Sequence, residues 1–145
     1  MLIEHILATK GREVVAVRPT DTVADAVATL RGRNIGAVIV SEDDGATVSG
    51  ILSERDIVRV LADDGPTALE QPVSSVMTAE VFTCNPTATL EELMGIMTDK
   101  RIRHIPVVTE GRLVGVVSIG DVVKHRVGEL SQEARTLHDY VTSGR

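Results

Sequence analysis

Two short stretches of this chain place groups that could do chemistry at the same spacing. Gly115-Val116-Val117-Ser118-Ile119-Gly120-Asp121 and Gly50-Ile51-Leu52-Ser53-Glu54-Arg55-Asp56 each read as a glycine, an apolar run of strand length, and a Ser-x-x-Asp that opens a helix. A helix that starts where a strand ends aims unpaired backbone N–H groups outward, which favours an anion there. Ser53 and Ser118 add a hydroxyl. Asp56 and Asp121 add a carboxylate able to accept both hydroxyls of a ribose diol, and to repel a 2′-phosphate. The same residues also spell a capping box, in which the serine satisfies the first helical amides and the acid reaches back to the N-cap amide. Loss of a cap costs about 1 kcal/mol of stability, whereas loss of a charged hydrogen bond to a ligand costs roughly ten- to hundredfold in affinity.

Composition narrows the ligand classes. The chain has 145 residues and a formal net charge of −6, with no basic arm or stripe for a nucleic-acid backbone. Phe82 and Tyr140 are its only aromatic residues, too few for base-stacking platforms. Cys84, the single cysteine, allows no intrachain disulfide and no thiolate-rich zinc site, and it reads as a small core residue beside Val81 and Phe82. His5, His104, His125 and His138 lack metal-ligand spacing, and no phosphate-loop signature occurs. No motif with a catalytic mechanism is present, so we expect no enzyme and no catalytic residue. The start carries Glu4, His5 and Lys10 and does not read as a secretory signal; no run reaches the length of a membrane span. A soluble, cytoplasmic protein is the expectation.

The elements that would position the two stretches can be read in order. Leu2, Ile3, Ile6 and Leu7 predict a short amphipathic helix ended by Gly11, and Glu13 to Val17 a valine-rich strand stopped by Pro19. Val23, Ala26, Val27 and Leu30 mark a helix face with Thr22 as N-cap and Asp25 in the capping-box position. Gly36–Val40 and Val48–Leu52 predict a hairpin about the polar turn Glu42–Gly45. The helix opened by Ser53 should turn Ile57, Val58, Val60 and Leu61 inward and stop near Asp63–Pro66. Thr67 to Ser75 reads as a connector. After Val76-Met77-Thr78, a strand at Phe82–Thr83 ends at Pro86. Thr89 with Glu92 is the better-matched capping box, followed by the face Leu90, Leu93, Met94 and Met97. Ile105–Val108 and Leu113–Val117 predict two strands around Glu110-Gly111.

Subtraction exposes a repeat. Pro19 and Pro86 differ by 67, as do Thr22 and Thr89, Leu30 and Met97, and Val40 and Val107; past the turn, Gly50 and Gly115, Ser53 and Ser118, and Asp56 and Asp121 differ by 65. A duplicated strand-helix-strand-strand-helix unit explains these pairs, with the halves facing each other about a pseudo-twofold axis. The expected division is 1–66, a connector at 67–75, and 76–145. The last segment outlasts its counterpart: Val123, Val127, Leu130, Ala134, Leu137 and Val141 form a heptad-like seam, either the inner face of a long helix on its own domain or a subunit contact.

With these motifs in order, the chain resembles the cystathionine-beta-synthase (CBS) domain family, specifically stand-alone bacterial proteins with a tandem pair of CBS repeats. The resemblance covers nearly the whole chain. It rests on Val76-Met77-Thr78, the Pro86–Leu90 turn, Arg103-His104-Ile105-Pro106-Val107-Val108 and the two Gly-apolar-Ser-x-x-Asp stretches. It implies a mixed α/β (α+β) fold of tandem β-α-β-β-α repeats with a long C-terminal helix. It also implies clefts between the repeats that bind AMP, ADP or ATP, with S-adenosylmethionine or NAD as alternatives, and a sensor that reports to an unknown regulated protein. By family position, Thr9 and Thr78 would reach phosphate or ribose, while Ala37, Val38, Ile105 and Pro106 would flank the adenine unless they simply pack the core. Arg101, Arg103 and His104 align with Asn34, Gly36 and Ala37, so the two sites should be unequal, the more basic set balancing phosphate charge. A homodimer is the expected minimum assembly. The competing expectation is an oligomerisation or interaction module without a small ligand.

Overall fold

The computed structural model describes residues 1–143. The elements run α1 (Ile3–Lys10), β1 (Ala16–Val17), α2 (Val23–Arg33), β2 (Ala37–Val40), β3 (Gly50–Ser53) and α3 (Glu54–Asp64), then two 3-10 turns at Gly65–Glu70 and Val73–Ser75. The second half adds α4 (Leu90–Lys100), β4 (His104–Thr109), β5 (Arg112–Ser118) and α5 (Ile119–Ser143). The chain is thus a mixed α+β fold of two repeats with a long last helix.

In the first sheet β1 pairs parallel with β2, and β2 antiparallel with β3. In the second, β4 and β5 form an antiparallel hairpin with a bulge between Val107 and Val108. Their two-residue turn puts Glu110 at φ 51° and Gly111 at φ 76°, the positive-φ pair that suits the twist of a tight hairpin. This turn is shorter than the β2–β3 loop, which explains why the repeat offset drops from 67 to 65. The expected strand at Phe82–Thr83 does not form. Only Cys84 bridges Val107, as Val17 pairs with Val40 one repeat earlier. Phe82 is exposed, with the Lys100 ammonium 5.3 Å from its ring centre. β1 is likewise shorter than the predicted Glu13–Val17.

The two cores divide the chain differently from its linear order. The first contains Val17, Val23, Leu30, Val38, Leu52 and Ile57, together with Val73, with Val76 and Met77 packed against it. The second contains Leu90, Leu93, Met97, Ile105, Val117 and Val122, together with Ile3, Ile6 and Leu7 of α1. The leading segments are therefore exchanged between the repeats. Ile3 N–H donates to the Ala88 carbonyl and Leu90 N–H to that of Met1; equivalently, Val73 N–H donates to Asp21 and Val23 N–H to Gln71, all at 2.7–2.9 Å. Ile3 matches Val73 and Leu7 matches Met77, each pair differing by 70. The stretch 67–75 is no free tether, since Ala68 and Val73 are fully buried.

Two expectations about helices are corrected. α3 buries Ile57 but leaves Val58 64% and Leu61 37% exposed, because only the side of the helix lying on the sheet is covered. On α5, Val122 is buried, whereas Val123, Val127, Leu130, Leu137 and Val141 are about half exposed or more. The heptad seam is thus not an inner face packed on its own domain. Val58 and Val123 hold equivalent positions, so both post-cleft helices carry the same uncovered side.

Candidate functional site

Both Ser-x-x-Asp stretches close as capping boxes. Asp56 N–H donates to Ser53 Oγ at 3.3 Å while Ser53 N–H donates to Asp56 Oδ2 at 3.0 Å. At the second stretch the distances are 3.2 Å and 2.8 Å, again with Oδ2 of Asp121 as acceptor. The serine hydroxyls also bond Oδ2. Capping therefore concentrates on one carboxylate oxygen; the other meets Thr78 at Asp56 and takes no part in the cap at Asp121, so cap and ligand clamp are compatible roles. Thr22 and Asp25 complete a third box, whereas Thr89 only accepts from the Glu92 amide. The better sequence match thus makes the less complete cap.

What meets each carboxylate differs. At Asp56, Thr78 Oγ1 lies 3.2 Å from Oδ1, delivered by a bridge in which Thr78 and Ile51 exchange backbone hydrogen bonds of 2.9 and 3.0 Å. This close approach requires Gly50: a Cβ there would lie 2.6 Å from Met77 Sδ and 2.8 Å from the Thr78 carbonyl oxygen. At Asp121 the register puts Ala8, which has no hydroxyl, opposite the position of Thr78. Thr9 instead donates to the His5 carbonyl of its own helix at 3.2 Å and is exposed, so its assignment to the cleft is corrected. Lys10 takes the place: its Nζ is 2.5 Å from both Asp121 Oδ2 and the Val116 carbonyl oxygen.

Asp121 faces the edge of the first repeat across a cavity of about 400 Å³. Val14, Val15, Ile35, Ala37, Val38, Ile39 and Ile51 line its apolar side, and Lys10, Glu13, Asn34, His104, Ser118 and Asp121 its polar side. The expected Ala37, Val38, Ser118, Asp121 and His104 do meet here. Ile105 and Pro106 do not: both are buried, Ile105 in the second core and Pro106 in the sheet opposite Val116. Arg103 is exposed; its carbonyl accepts the Ile119 amide at 2.8 Å, and its side chain is not part of the cavity wall. Ser53, Asp56 and Thr78 form the second cluster on the other side of the pseudo-twofold axis. Near it Arg55 donates to the Arg101 carbonyl at 3.2 Å, and Arg101 serves as the left-handed C-cap of α4.

Electrostatics follow from these contacts. Burial alone would raise the Asp121 carboxyl, but hydrogen bonds from Lys10 and Ser118 outweigh it and hold it below the usual carboxylate range. Burial, reinforced by the Lys10 and Arg103 charges, pushes His104 below its ordinary value against the pull of Asp121 and Glu54. The surroundings of His104 thus disfavour the charged imidazolium at the cavity wall. Cys84 is pushed up to about 11 by burial and by Glu92, the behaviour of an inert structural thiol. Sequence reasoning missed Lys10, Glu13, Val14, Val15 and Ile35. Lys10 carried no spacing signal, since its partner lies 111 residues away; the apolar spacing shared by Ile3-Ile6-Leu7 and Val73-Val76-Met77 would have located α1.

The chain matches the CBS domain family over residues 4–63 and 73–128. It is 39% identical over 149 residues to the mitochondrial CBS domain-containing protein CBSX3 of Arabidopsis thaliana, covering 98% of this chain and 72% of the relative. The crystal structure of the CBS-domain containing protein ATU1752 from Agrobacterium tumefaciens superposes with a TM-score of 0.84 at 46% identity, covering 87% of this chain and 99% of that one. The CBS domain protein PAE2072 from Pyrobaculum aerophilum, solved in complex with AMP, gives 0.74 at 27% identity over 83% and 89%. With two matched repeats whose leading segments are exchanged between two cores, the chain belongs to the CBS domain family, as a tandem pair.

Proposed function

We propose that this protein is a regulatory module that binds an adenosine-containing ligand between its CBS repeats and passes the bound state to another protein. The observation that carries the reading is the Asp121 cleft. There a capped carboxylate with one oxygen to spare stands at the polar end of a slot walled by Val14, Ile35, Ala37 and Val38. An adenine fits the apolar wall, and a ribose diol fits the carboxylate. The AMP bound by PAE2072 supports the same class of ligand; AMP, ADP and ATP come first, S-adenosylmethionine and NAD second. The uncovered apolar side shared by α3 and α5 supports a homodimer, and it is also what favours the alternative of an interaction module without a ligand.

A thermal-shift panel across the five compounds tests the reading. A ligand at a hundredfold its dissociation constant stabilises by about 2.7 kcal/mol, which Asp121→Ala should largely abolish while the variant stays folded. No shift with any compound would leave the interaction module as the better account.

A further inference from the structure

We propose that Lys10 fits the Asp121 cleft to a ligand with a single phosphate: it occupies the ribose carboxylate in the free protein and moves to the phosphate when the ligand binds. The inference rests on the adenosine reading above. Lys10 stands in the last turn of α1, and α1 is anchored on the second core by Ile3, Ile6 and Leu7, each no more than 1% exposed. Its backbone is therefore fixed at the mouth of the cavity while its side chain, 32% exposed, is free to pivot. In the free protein the ammonium sits on Asp121 Oδ2, the same oxygen that the cap uses, and on the Val116 carbonyl oxygen.

A count of charges around the cavity decides what the displaced ammonium does. Lys10 is the only lysine or arginine among the lining residues, facing Glu13 and Asp121. Glu54 Oε1 approaches the same edge, 3.7 Å from where a Gly36 Cβ would stand. Arg33 pairs with Glu13 at 3.0 Å and the Arg103 charge acts on His104 from outside the wall, so Lys10 is the one ammonium in the wall itself: a single phosphate meets a direct partner there, and a second or third meets none. Adenosine gains nothing from the ammonium and competes with it for the Asp121 carboxylate.

The test compares wild type, Lys10→Met and Lys10→Arg by following the backbone amides of Ala37, Val116 and Ser118 by NMR during titration, so that the Asp56 cluster does not interfere. Lys10→Met should weaken AMP by about tenfold or more, the scale of one charged hydrogen bond, and leave adenosine unchanged or tighter. Lys10→Arg should keep AMP affinity, and ADP and ATP should bind wild type no better than AMP. Equal effects of Lys10→Met on AMP and adenosine, no effect on either, or ATP binding tighter than AMP would each overturn the proposal while leaving the adenosine reading in place. If these amides respond to neither AMP nor adenosine in the wild type, the adenosine reading of this cleft fails, and the role of Lys10 with it.

Discussion

Replacing Gly50 with alanine should damage the protein far more than the same change at Gly115, although the two glycines hold equivalent positions. The new methyl at Gly50 would lie 2.8 Å from the Thr78 carbonyl oxygen and 2.6 Å from Met77 Sδ. The sulfur can move, but the carbonyl cannot without opening the Ile51–Thr78 hydrogen bonds of 3.0 and 2.9 Å. Overpacking costs about 1–3 kcal/mol and straining the one hydrogen bond that the Thr78 carbonyl accepts about 1 kcal/mol, for a total of about 2–4 kcal/mol. At Gly115 the methyl meets only the ends of the Leu7 side chain, at 2.6 and 3.1 Å. Leu7 can change rotamer, so the cost should stay at about 1–2 kcal/mol. Thermal melts of the two variants should therefore separate, with Gly50→Ala falling by roughly 5–15 °C and Gly115→Ala by a few degrees. Gly50→Ala should also draw Thr78 away from Asp56 and weaken any ligand bound there. A Gly115→Ala loss equal to or larger than that of Gly50→Ala would refute the assignment of the tight approach to backbone rather than side chain.

Three further outcomes follow from the two clusters. Thr78→Val should weaken binding at the Asp56 cluster, while Thr9→Ala, whose hydroxyl bonds its own helix, should leave all binding unchanged in the same titration. Because the Asp121 carboxyl is held low in the folded protein by Lys10 and Ser118, its contribution is full above the unfolded carboxyl value of about 3.9 and is lost as pH falls through the lower folded value. Lys10→Met should shrink that acid loss, so an unchanged slope of melting temperature against pH below about 4 would count against the ion pair. Val127→Glu, placed on the uncovered side of α5, should convert a dimer to a monomer by light scattering; a wild type that is already monomeric at high concentration would remove the dimer.

Much of this was readable from the residues because the repeat enforces itself locally. The Ser-x-x-Asp junctions, the hairpins and the helix starts are set within a few residues by caps and apolar periodicity, so their positions emerged from spacing. The exchange of leading segments did not. α1 packs on a core made mainly of residues 90–122, and no local pattern reveals which of two similar cores a short amphipathic helix will choose. The place of Thr9 has the same origin: the hydrogen bonds of Ile3 and Val73 pair Leu7 with Met77, so Ala8 and not Thr9 holds the position of Thr78. Arg103 and His104 differ in place for a different reason: sequence reports the charge of a side chain, but not that Arg103 is exposed outside the cavity wall while His104 lines it with its pKa lowered by burial.

The exchange also sets each carboxylate at a junction between the repeats. Each of the two carboxylates lies in the first turn of a helix, and the segment that meets it, α1 at Asp121 or residues 76–78 at Asp56, is the leading segment of the other repeat. A ligand that takes over Asp121 therefore removes one tie between α1 and the start of α5. α5 has 25 residues and so extends about 37 Å. Only Val122, near its cleft end, is buried, and the apolar positions from Val123 to Val141 are open along its length. α5 thus runs from the Asp121 cluster to an uncovered apolar surface, so a change at Asp121 would act at the base of the helix that carries that surface.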